Sequence, residues 1–346
     1  MTAPSSTPSI FDLPGRFLQM GLVLVSSGRG STAVELGRQL ARERPGDPRL
    51  KAMANAFLAS GIPGFHRGML ADEPRNGAYR QAIERMAPGR RVLDLGTGSG
   101  LLAMMAARAG AAHVYACEAN PMLATTARDI VAVNGLADRI TIIPQHSAKL
   151  DAVRDLGGGV DLVVSEIFSD NVVGEGVLPA LDHAARVLTR PGAAFLPASA
   201  TIRCALIDIT GAPAPVTTVE GFDLSLLNRH FARSEKDLAA SDRLALRSDP
   251  VDLFRFDFAA GASPADEGEC RAELVSSGGR VSAIAQWLQL ELAPGITYEN
   301  APGGDRTMHW AVRCVLLPEP LETREGETIA LGGWHDAARL VLWAER

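Results

Sequence analysis

The chain has 346 residues, which is long enough for two folded domains. Hydrophobic residues make up 47% of it, charged residues make up 21%, and the formal net charge is -6, as in an ordinary globular protein. This mild acidity argues against general nucleic-acid binding and suits a cationic substrate. The four cysteines are far apart and form no CxxC pair, so their spacing predicts neither a metal site nor a disulfide framework.

The first 60 residues predict a tail followed by a helical appendage. Residues 1–15 are rich in proline and serine, which is typical of a loose tail. The run "FLQMGLVLV" is too short to span a membrane and has no convincing cleavage site after it, so we expect a cytoplasmic protein without a membrane partner. Residues 31–60 show helical spacing broken by "RPGDP". This pair of helices either packs onto the next domain or serves as a docking unit.

Residues 61–196 alternate between strand and helix patterns. The predicted strands are "RRVLDLG", "HVYACEA", "ITIIPQ" and "VDLVVSE", and the predicted helices are "LLAMMAARAG", "MLATTARDIVAVNG" and "GVLPALDHAARVL". Such alternation indicates an α/β domain with a parallel, Rossmann-like sheet. Residues 197–346 instead carry short apolar runs between turns, which predicts an antiparallel β domain. Within them, residues 221–240 are more helical and could project as an arm.

The stretch "VLDLGTGSG" predicts a cofactor loop. A strand ends at Asp94, and Gly96, Gly98 and Gly100 allow a sharp turn and close approach of a ligand. The D-x-G-x-G-x-G pattern differs from the dinucleotide fingerprint and favours a single nucleoside such as S-adenosylmethionine. The next strand ends at Glu118, 18 residues beyond Gly100, where an acid can accept hydrogen bonds from both ribose hydroxyls.

The stretch "SEIFSDNVVGEG" carries two acids, Glu166 and Glu175, directly after the fourth strand. Two carboxylates held apart by a glycine-containing loop could bind a planar cation through paired hydrogen bonds, and guanidinium is the planar cation of biology. Glu175 could equally cap the helix that begins near Val177. The spacing leaves both interpretations open.

Together these motifs resemble those of the protein arginine methyltransferases, over about His66 to His309. "VLDLGTGSG", "CEANP" and "SEIFSDNVVGEG" are similar to the family's cofactor loop, ribose-binding step and double-glutamate loop. "FHRGMLADEPRNGAYRQAI" resembles its N-terminal helix, and "TMHW" its Thr-His-Trp loop, with Met308 in place of threonine. The resemblance implies a methyltransferase domain followed by an antiparallel β-barrel. The double-glutamate loop is closest to the monomethylating branch of the family, in a divergent, bacterial-type member.

The resemblance also implies roles for individual residues. S-adenosylmethionine would be the cofactor, and an arginine-containing protein or peptide the substrate. Glu166 and Glu175 would hold the guanidinium, while His309 and Asp72 would form either a proton relay or a structural interdomain bond. The cofactor would be bound by the following residues: His66, Arg75, Asp94, Gly96, Gly98, Glu118 and Ser147. Residues 221–240 would form the arm of a possible homodimer.

Besides Met308, the chain departs from the family pattern in its N-terminal helix and beside the adenine. The paired aromatics of the N-terminal helix are not evident, since "GIPGF" stands there, and Ala148 or Lys149 replaces the acid that often approaches adenine. Two further functions therefore stay open. One is methyl transfer to a small guanidino metabolite or a non-arginine acceptor, and the other is a non-catalytic scaffold that binds the cofactor.

Overall fold

The computed structural model describes residues 9–210, 216–229, 234–235, 244–258, 267–303 and 309–346. The chain divides into two compact units. The first contains the residues up to Leu70 together with Ile83–Glu166 and Arg186–Ala194, and the second contains Ala71–Ala82, Ile167–Ala185 and Phe195–Arg346. No helix in the described ranges is long and apolar enough to cross a membrane.

The first helices form their own small core. They are a 3-10 turn (Ile10–Asp12), α1 (Pro14–Ser26), α2 (Gly30–Glu43) and α3 (Pro48–Ala59). Helix α4 (Phe65–Ala71) follows and buries no residue. Asp47 caps α3 through the amides of Arg49 and Leu50. The rings of Phe17 and Phe57 pack edge to face at 5.6 Å, and both are fully buried. Helix α2 also packs against a helix of the sheet domain (α7, below).

The predicted loose tail is wrong for residues 9–15. Ser9 and Asp12 exchange side-chain to backbone hydrogen bonds in a capping box. Phe11 is buried and packs edge to face on Phe17 at 5.4 Å. Burial of this aromatic ring orders a segment whose composition alone is typical of a tail.

The sheet of the first unit has the order β3-β2-β1-β4-β5, from β1 (Arg91–Leu95), β2 (His113–Cys117), β3 (Ile140–Ile143), β4 (Val160–Ser165) and β5 (Thr189–Leu196). Pairing of β1 with β2 and β4, and of β2 with β3, is parallel. The helices that alternate with the strands are α5 (Glu73–Met86), α6 (Leu101–Arg108), α7 (Pro121–Val133), α8 (Ala152–Leu156) and α9 (Val177–His183), and a π-helical turn (Ala184–Leu188) follows α9. The predicted Rossmann-like class is confirmed. Because the carboxyl ends of parallel strands share one edge, the candidate residues after β1, β2, β3 and β4 fall on that edge.

The second unit is built on an eight-stranded sheet whose main path is β10-β6-β12-β14-β15. Its strands are β6 (Ser199–Ile209), β9 (Ser234–Glu235), β10 (Leu244–Leu246), β11 (Val251–Asp257), β12 (Gly268–Ala293), β13 (Ile296–Glu299), β14 (Arg313–His335) and β15 (Leu340–Glu345). Each of its pairings is antiparallel, as predicted. Trp287, Ile207 and Cys314 are among the buried residues of its core.

The segment expected to form a helical arm is only partly described. A two-stranded hairpin, β7 (Thr218–Val219) with β8 (Phe222–Asp223), precedes a 3-10 turn at Ser225–Arg229. Residues 230–233 and 236–240 lie outside the described residues. In the described part, the helical pattern therefore corresponds to a 3-10 turn and not to an α-helix.

Candidate active site

The glycine loop after β1 depends on backbone conformations that only glycine adopts without strain. Gly96, Gly98 and Gly100 have φ values of 68°, 55° and 85°. The Gly98 amide donates to Glu118 Oε2 at 3.0 Å. A Cβ added to Gly98 would lie 3.8 Å from the His66 ring, so the loop passes close to α4.

Asp94 shapes this loop from the end of β1. Its buried Oδ2 accepts hydrogen bonds from Thr97 Oγ1 at 2.5 Å and from the Ala103 amide at 3.1 Å. Burial raises the pKa of Asp94 to about 7, the two hydrogen bonds oppose that shift, and the charges of Glu118 and Glu166 add to it. Asp94 thus connects the loop to the start of α6.

Glu118 directly follows β2 and bonds the backbone on both sides. Its Oε1 accepts from the Asn120 amide at 2.8 Å, and its Oε2 accepts from Gly98. His66 stacks on Phe65 with 4.4 Å between ring centroids. Burial lowers the pKa of His66, and the charges of Glu118 and Glu166 oppose that shift. The first unit therefore brings His66, Glu118 and Glu166 into one electrostatic neighbourhood.

Ser147 lies at the same sheet edge, after β3. It begins a 3-10 turn (Ser147–Lys149) that is capped by the His146 ring, which accepts a hydrogen bond from the Ala148 amide. Ser147 itself is buried.

The double-glutamate loop begins at β4 and continues into the second unit. Glu166 directly follows β4 and is half-buried, whereas Glu175 is exposed. Glu175 has φ 58° and ψ 12°, and Val172 has φ 65°. A non-glycine residue in this region costs about 1–3 kcal/mol, and such strain concentrates at functional sites. The N-cap of α9 is Gly176, so Glu175 lies one residue before the helix start.

Side chains within the loop fix its shape. Asn171 Oδ1 accepts from the Gly174 amide at 3.0 Å and from Ser169 Oγ at 2.6 Å. The Val172 amide donates to the Ser169 carbonyl at 2.9 Å. These hydrogen bonds tie the loop to its own side chains on the N-terminal side of Glu175.

The second unit brings together Asp72, Arg75 and His309. Asp72 is fully buried, and its Oδ2 accepts from both the backbone amide and Nδ1 of His309 at 3.1 Å. Its Oδ1 accepts from the Arg75 amide at 3.0 Å. Burial raises the pKa of Asp72, but the hydrogen bonds from His309, Arg75 and Tyr298 outweigh it and hold that pKa below its usual value.

Arg75 is buried and lies within α5. Its Nη1 donates to Asn76 Oδ1 at 2.6 Å, and its guanidinium lies 5.5 Å from the centre of the Tyr79 ring. The neighbouring "TMHW" motif is described only from His309 onward, since Thr307 and Met308 lie outside the described residues. Trp310 of that motif donates from Nε1 to the Phe168 carbonyl at 2.7 Å, within the double-glutamate loop.

Tyr298 also bonds the Asp72 carboxylate, although the sequence did not single it out. Its hydroxyl donates to Asp72 Oδ2 at 2.9 Å across 226 residues of chain. The local stretch "GITYEN" is an ordinary strand pattern, so no sequence signal marked it.

Comparison with known proteins assigns this arrangement to a class. The model of the ribosomal protein L11 methyltransferase (PrmA) family matches residues 80–193. An enzyme of Streptomyces achromogenes subsp. streptozoticus, named arginine N(omega)-methyltransferase, is 42% identical over 80% of this chain and 77% of that protein. Protein arginine N-methyltransferase 7 of Oryza sativa subsp. indica is 32% identical over 80% of this chain, which spans only 40% of that relative.

Solved structures agree with these relatives. The PRMT1 enzyme-prozyme heterotetrameric complex of Trypanosoma brucei with AdoHcy has a TM-score of 0.71 and 26% identity, and the match covers 78% of this chain and 87% of that one. Protein arginine methyltransferase 10 of Arabidopsis thaliana has a TM-score of 0.65 at 19% identity over 81% and 96% of the two chains, which shows the fold alone.

The sheet order, the glycine loop and the matched structures define a class I S-adenosylmethionine-dependent methyltransferase. Within that class, the chain belongs to the arginine N-methyltransferase family. Its cofactor is S-adenosylmethionine.

Proposed function

We propose that the protein transfers a methyl group from S-adenosylmethionine to a guanidinium nitrogen of an arginine in a protein or peptide, held by Glu166 and Glu175. The observation that carries the proposal is the conformation of Glu175. Glu175 is exposed and has a positive φ, in a loop held by its own side chains, so its backbone is strained. Such strain is typical of residues that must present a side chain to a ligand.

The residues after β1 and β2 fit the cofactor. Gly98 leaves the space that a Cβ would fill, and Glu118 offers carboxylate oxygens that can accept ribose hydroxyls while still bonding Gly98. Gly96 and Asp94 would shape the bed, with Ser147 beside the adenine. His66 and Arg75 would meet the methionine portion. When bound, S-adenosylmethionine supplies a methyl group that its sulfonium has already activated.

The two carboxylates account for reactivity that arginine lacks in water. A guanidinium is protonated at neutral pH and is a poor nucleophile. Hydrogen bonds from it to Glu166 and Glu175 would draw positive charge toward the nitrogens they contact, so that electron density builds on the remaining nitrogen. Both carboxylates also offset the repulsion between two cationic reactants.

The proton balance assigns a role to His309. As the new N–C bond forms, the S–CH3 electron pair stays on sulfur, and the methylated group carries one proton more than a monocationic product needs. We assign removal of that proton to His309, with Asp72 bonded to its Nδ1.

The proposed clamp can be tested by removing the charge of each glutamate in turn. Glu166→Gln and Glu175→Gln should each lower kcat for an arginine peptide at least about 100-fold, because each removes charge that stabilises the transition state. The affinity for S-adenosylhomocysteine, read by calorimetry, should stay close to that of the wild type. Glu319→Gln, an exposed acid on β14, is the matched control and should be neutral. If both variants kept their activity, the clamp would be refuted.

A second acceptor is supported by one observation. The 42% identical relative is named arginine N(omega)-methyltransferase, without the word protein, whereas the 29–32% identical relatives are named protein arginine N-methyltransferases. Free arginine is therefore the second candidate acceptor. Labelled methyl transfer to free arginine, an arginine peptide and a lysine peptide, with mass spectrometry of each product, separates the candidates.

A homodimer is the remaining proposal. The described part of the arm exposes Phe222 and Leu226, with 71% and 68% of their surfaces accessible. Apolar side chains at such exposure are consistent with a partner surface.

A further inference from the structure

Tyr298 is tied to the carboxylate that supports His309. It lies on β13 opposite Leu290 of β12, which fixes its backbone in the sheet. Only 4% of Tyr298 is exposed, and its ring packs on Trp310 with 5.5 Å between centroids. Two residues further on, the Asn300 side chain accepts from the Leu288 amide and donates to the Trp310 carbonyl. The Asn300 side chain therefore connects strand β12 to Trp310, next to His309.

The hydrogen bonds on Asp72 determine which proton His309 carries. Oδ2 accepts from Tyr298 Oη at 2.9 Å and from His309 Nδ1 at 3.1 Å. An ionised carboxylate only accepts hydrogen bonds, so both neighbours must act as donors. A neutral His309 ring then carries its proton on Nδ1, which makes Nε2 the acceptor nitrogen.

We propose that Tyr298 is a positioning residue for the methyl transfer: its hydroxyl fixes the Asp72 carboxylate so that His309 keeps the orientation and tautomer in which Nε2 takes the product proton. This inference rests on the proposed function. Tyr298 does not touch the substrate in this role and acts through Asp72.

Loss of the Tyr298 hydroxyl should raise the pKa of Asp72. The groups that lower the pKa of Asp72 against its burial are His309 through its ring and amide, the Arg75 amide and Tyr298. Removal of one donor raises the pKa of Asp72, and it also leaves the carboxylate a stronger acceptor for the His309 imidazolium. Both effects should move the acid limb of the pH–rate profile toward higher pH.

The experiment is Tyr298→Phe in the full chain, with kcat and KM measured against pH. We expect kcat about tenfold lower, an unchanged KM for the acceptor, and an acid limb displaced upward by about half to one pH unit, as for one hydrogen bond to a charged group. Tyr115→Phe is the matched control, since the Tyr115 hydroxyl is also bonded, in its case to Arg91 in the first unit. That variant should leave both kcat and the acid limb unchanged.

A displaced limb in Tyr298→Phe alone supports the proposal. Wild-type kinetics in that variant, or a lower kcat with an unmoved limb, overturns it, because the second result is what a packing defect would give. If Tyr298→Phe does not fold, 3-fluorotyrosine at position 298 serves instead. It is a stronger donor of the same shape, so the limb should move to lower pH, and an unmoved limb overturns the proposal.

Nitrogen-15 NMR of the histidine rings separates this inference from the proposed function. The His309 signals, assigned by their loss in His309→Gln, should show the Nδ1–H tautomer in the wild type and a titration shifted upward in Tyr298→Phe. The Nε2–H tautomer in the wild type overturns the inference. Failure of the wild type to methylate any arginine acceptor refutes the proposed function, while the NMR titration still decides the role of Tyr298.

Discussion

Gly174, next to Glu175, has a steric role that a single methyl group can test. Its φ is not in the left-handed region, so alanine suits its backbone. A Cβ at this position would nevertheless lie 2.3 Å from Ser169 Oγ, 2.8 Å from Ser169 Cβ and 3.1 Å from Asn171 Oδ1. Ordinary contacts begin near 3.4 Å, so Gly174→Ala requires the Cβ and Oγ of Ser169 to move away by about 0.6 and 1.1 Å.

This displacement should affect activity more than stability. Overpacking by one methyl group costs about 1–3 kcal/mol. The same shift would disturb the Asn171 hydrogen bonds that hold the loop, and a misplacement of about 1 Å can cost about 100-fold in rate. We therefore expect kcat for an arginine peptide to fall about 100-fold in Gly174→Ala, with affinity for S-adenosylhomocysteine near that of the wild type.

Second-site variants at Ser169 test whether the steric clash explains the loss of activity. Ser169→Ala leaves the Cβ contact of 2.8 Å and should restore little activity to Gly174→Ala, whereas Ser169→Gly removes both close atoms and should restore most of it. Ser169→Gly alone, which loses only the hydrogen bond to Asn171, should cost much less than Gly174→Ala. Wild-type kcat in Gly174→Ala, or equal rescue by Ser169→Ala and Ser169→Gly, would refute the steric argument.

Two further predictions concern stability. Asp94 has a folded-state pKa of about 7 against an ordinary 3.8, so its contribution to folding is full below about pH 3.8 and is lost as the pH rises toward 7. Urea denaturation of the cofactor-free enzyme should show the free energy of unfolding falling by up to about 1.4 kcal/mol per pH unit in that window, and Asp94→Asn should flatten the slope; equal slopes would contradict the assignment. Phe57→Ala, in the buried ring pair with Phe17, should cost about 3–5 kcal/mol, whereas Leu22→Ala, at a residue 42% exposed, should cost under about 1 kcal/mol; similar midpoints for the two would contradict the core assignment.

The sheet could be predicted from the sequence because its signals are local. The four strands with candidate residues are short apolar runs, and each is followed by glycine, proline or glutamate where the chain leaves the sheet. Helix α1 lacked such a signal. It buries Phe17, Gly21 and Leu24 at helical spacing, yet Met20 and Val23 between them are exposed. Because the exposed residues are also apolar, the sequence shows no helical periodicity here.

Sequence analysis could predict the candidate site only where the contacting residues are close together in the sequence. The Tyr298–Asp72 contact joins residues 226 positions apart, and neither local stretch implies the other. The two acids of the double-glutamate loop show the same limit at close range. Their spacing suits a helix cap as well as a cation clamp, and the choice depends on backbone angles that residue types alone do not specify. With Gly176 at the N-cap and Glu175 at φ 58°, the helix start is supplied by a residue without a side chain. The strain therefore lies in the backbone of Glu175, and that strain is what favours the cation clamp proposed for it.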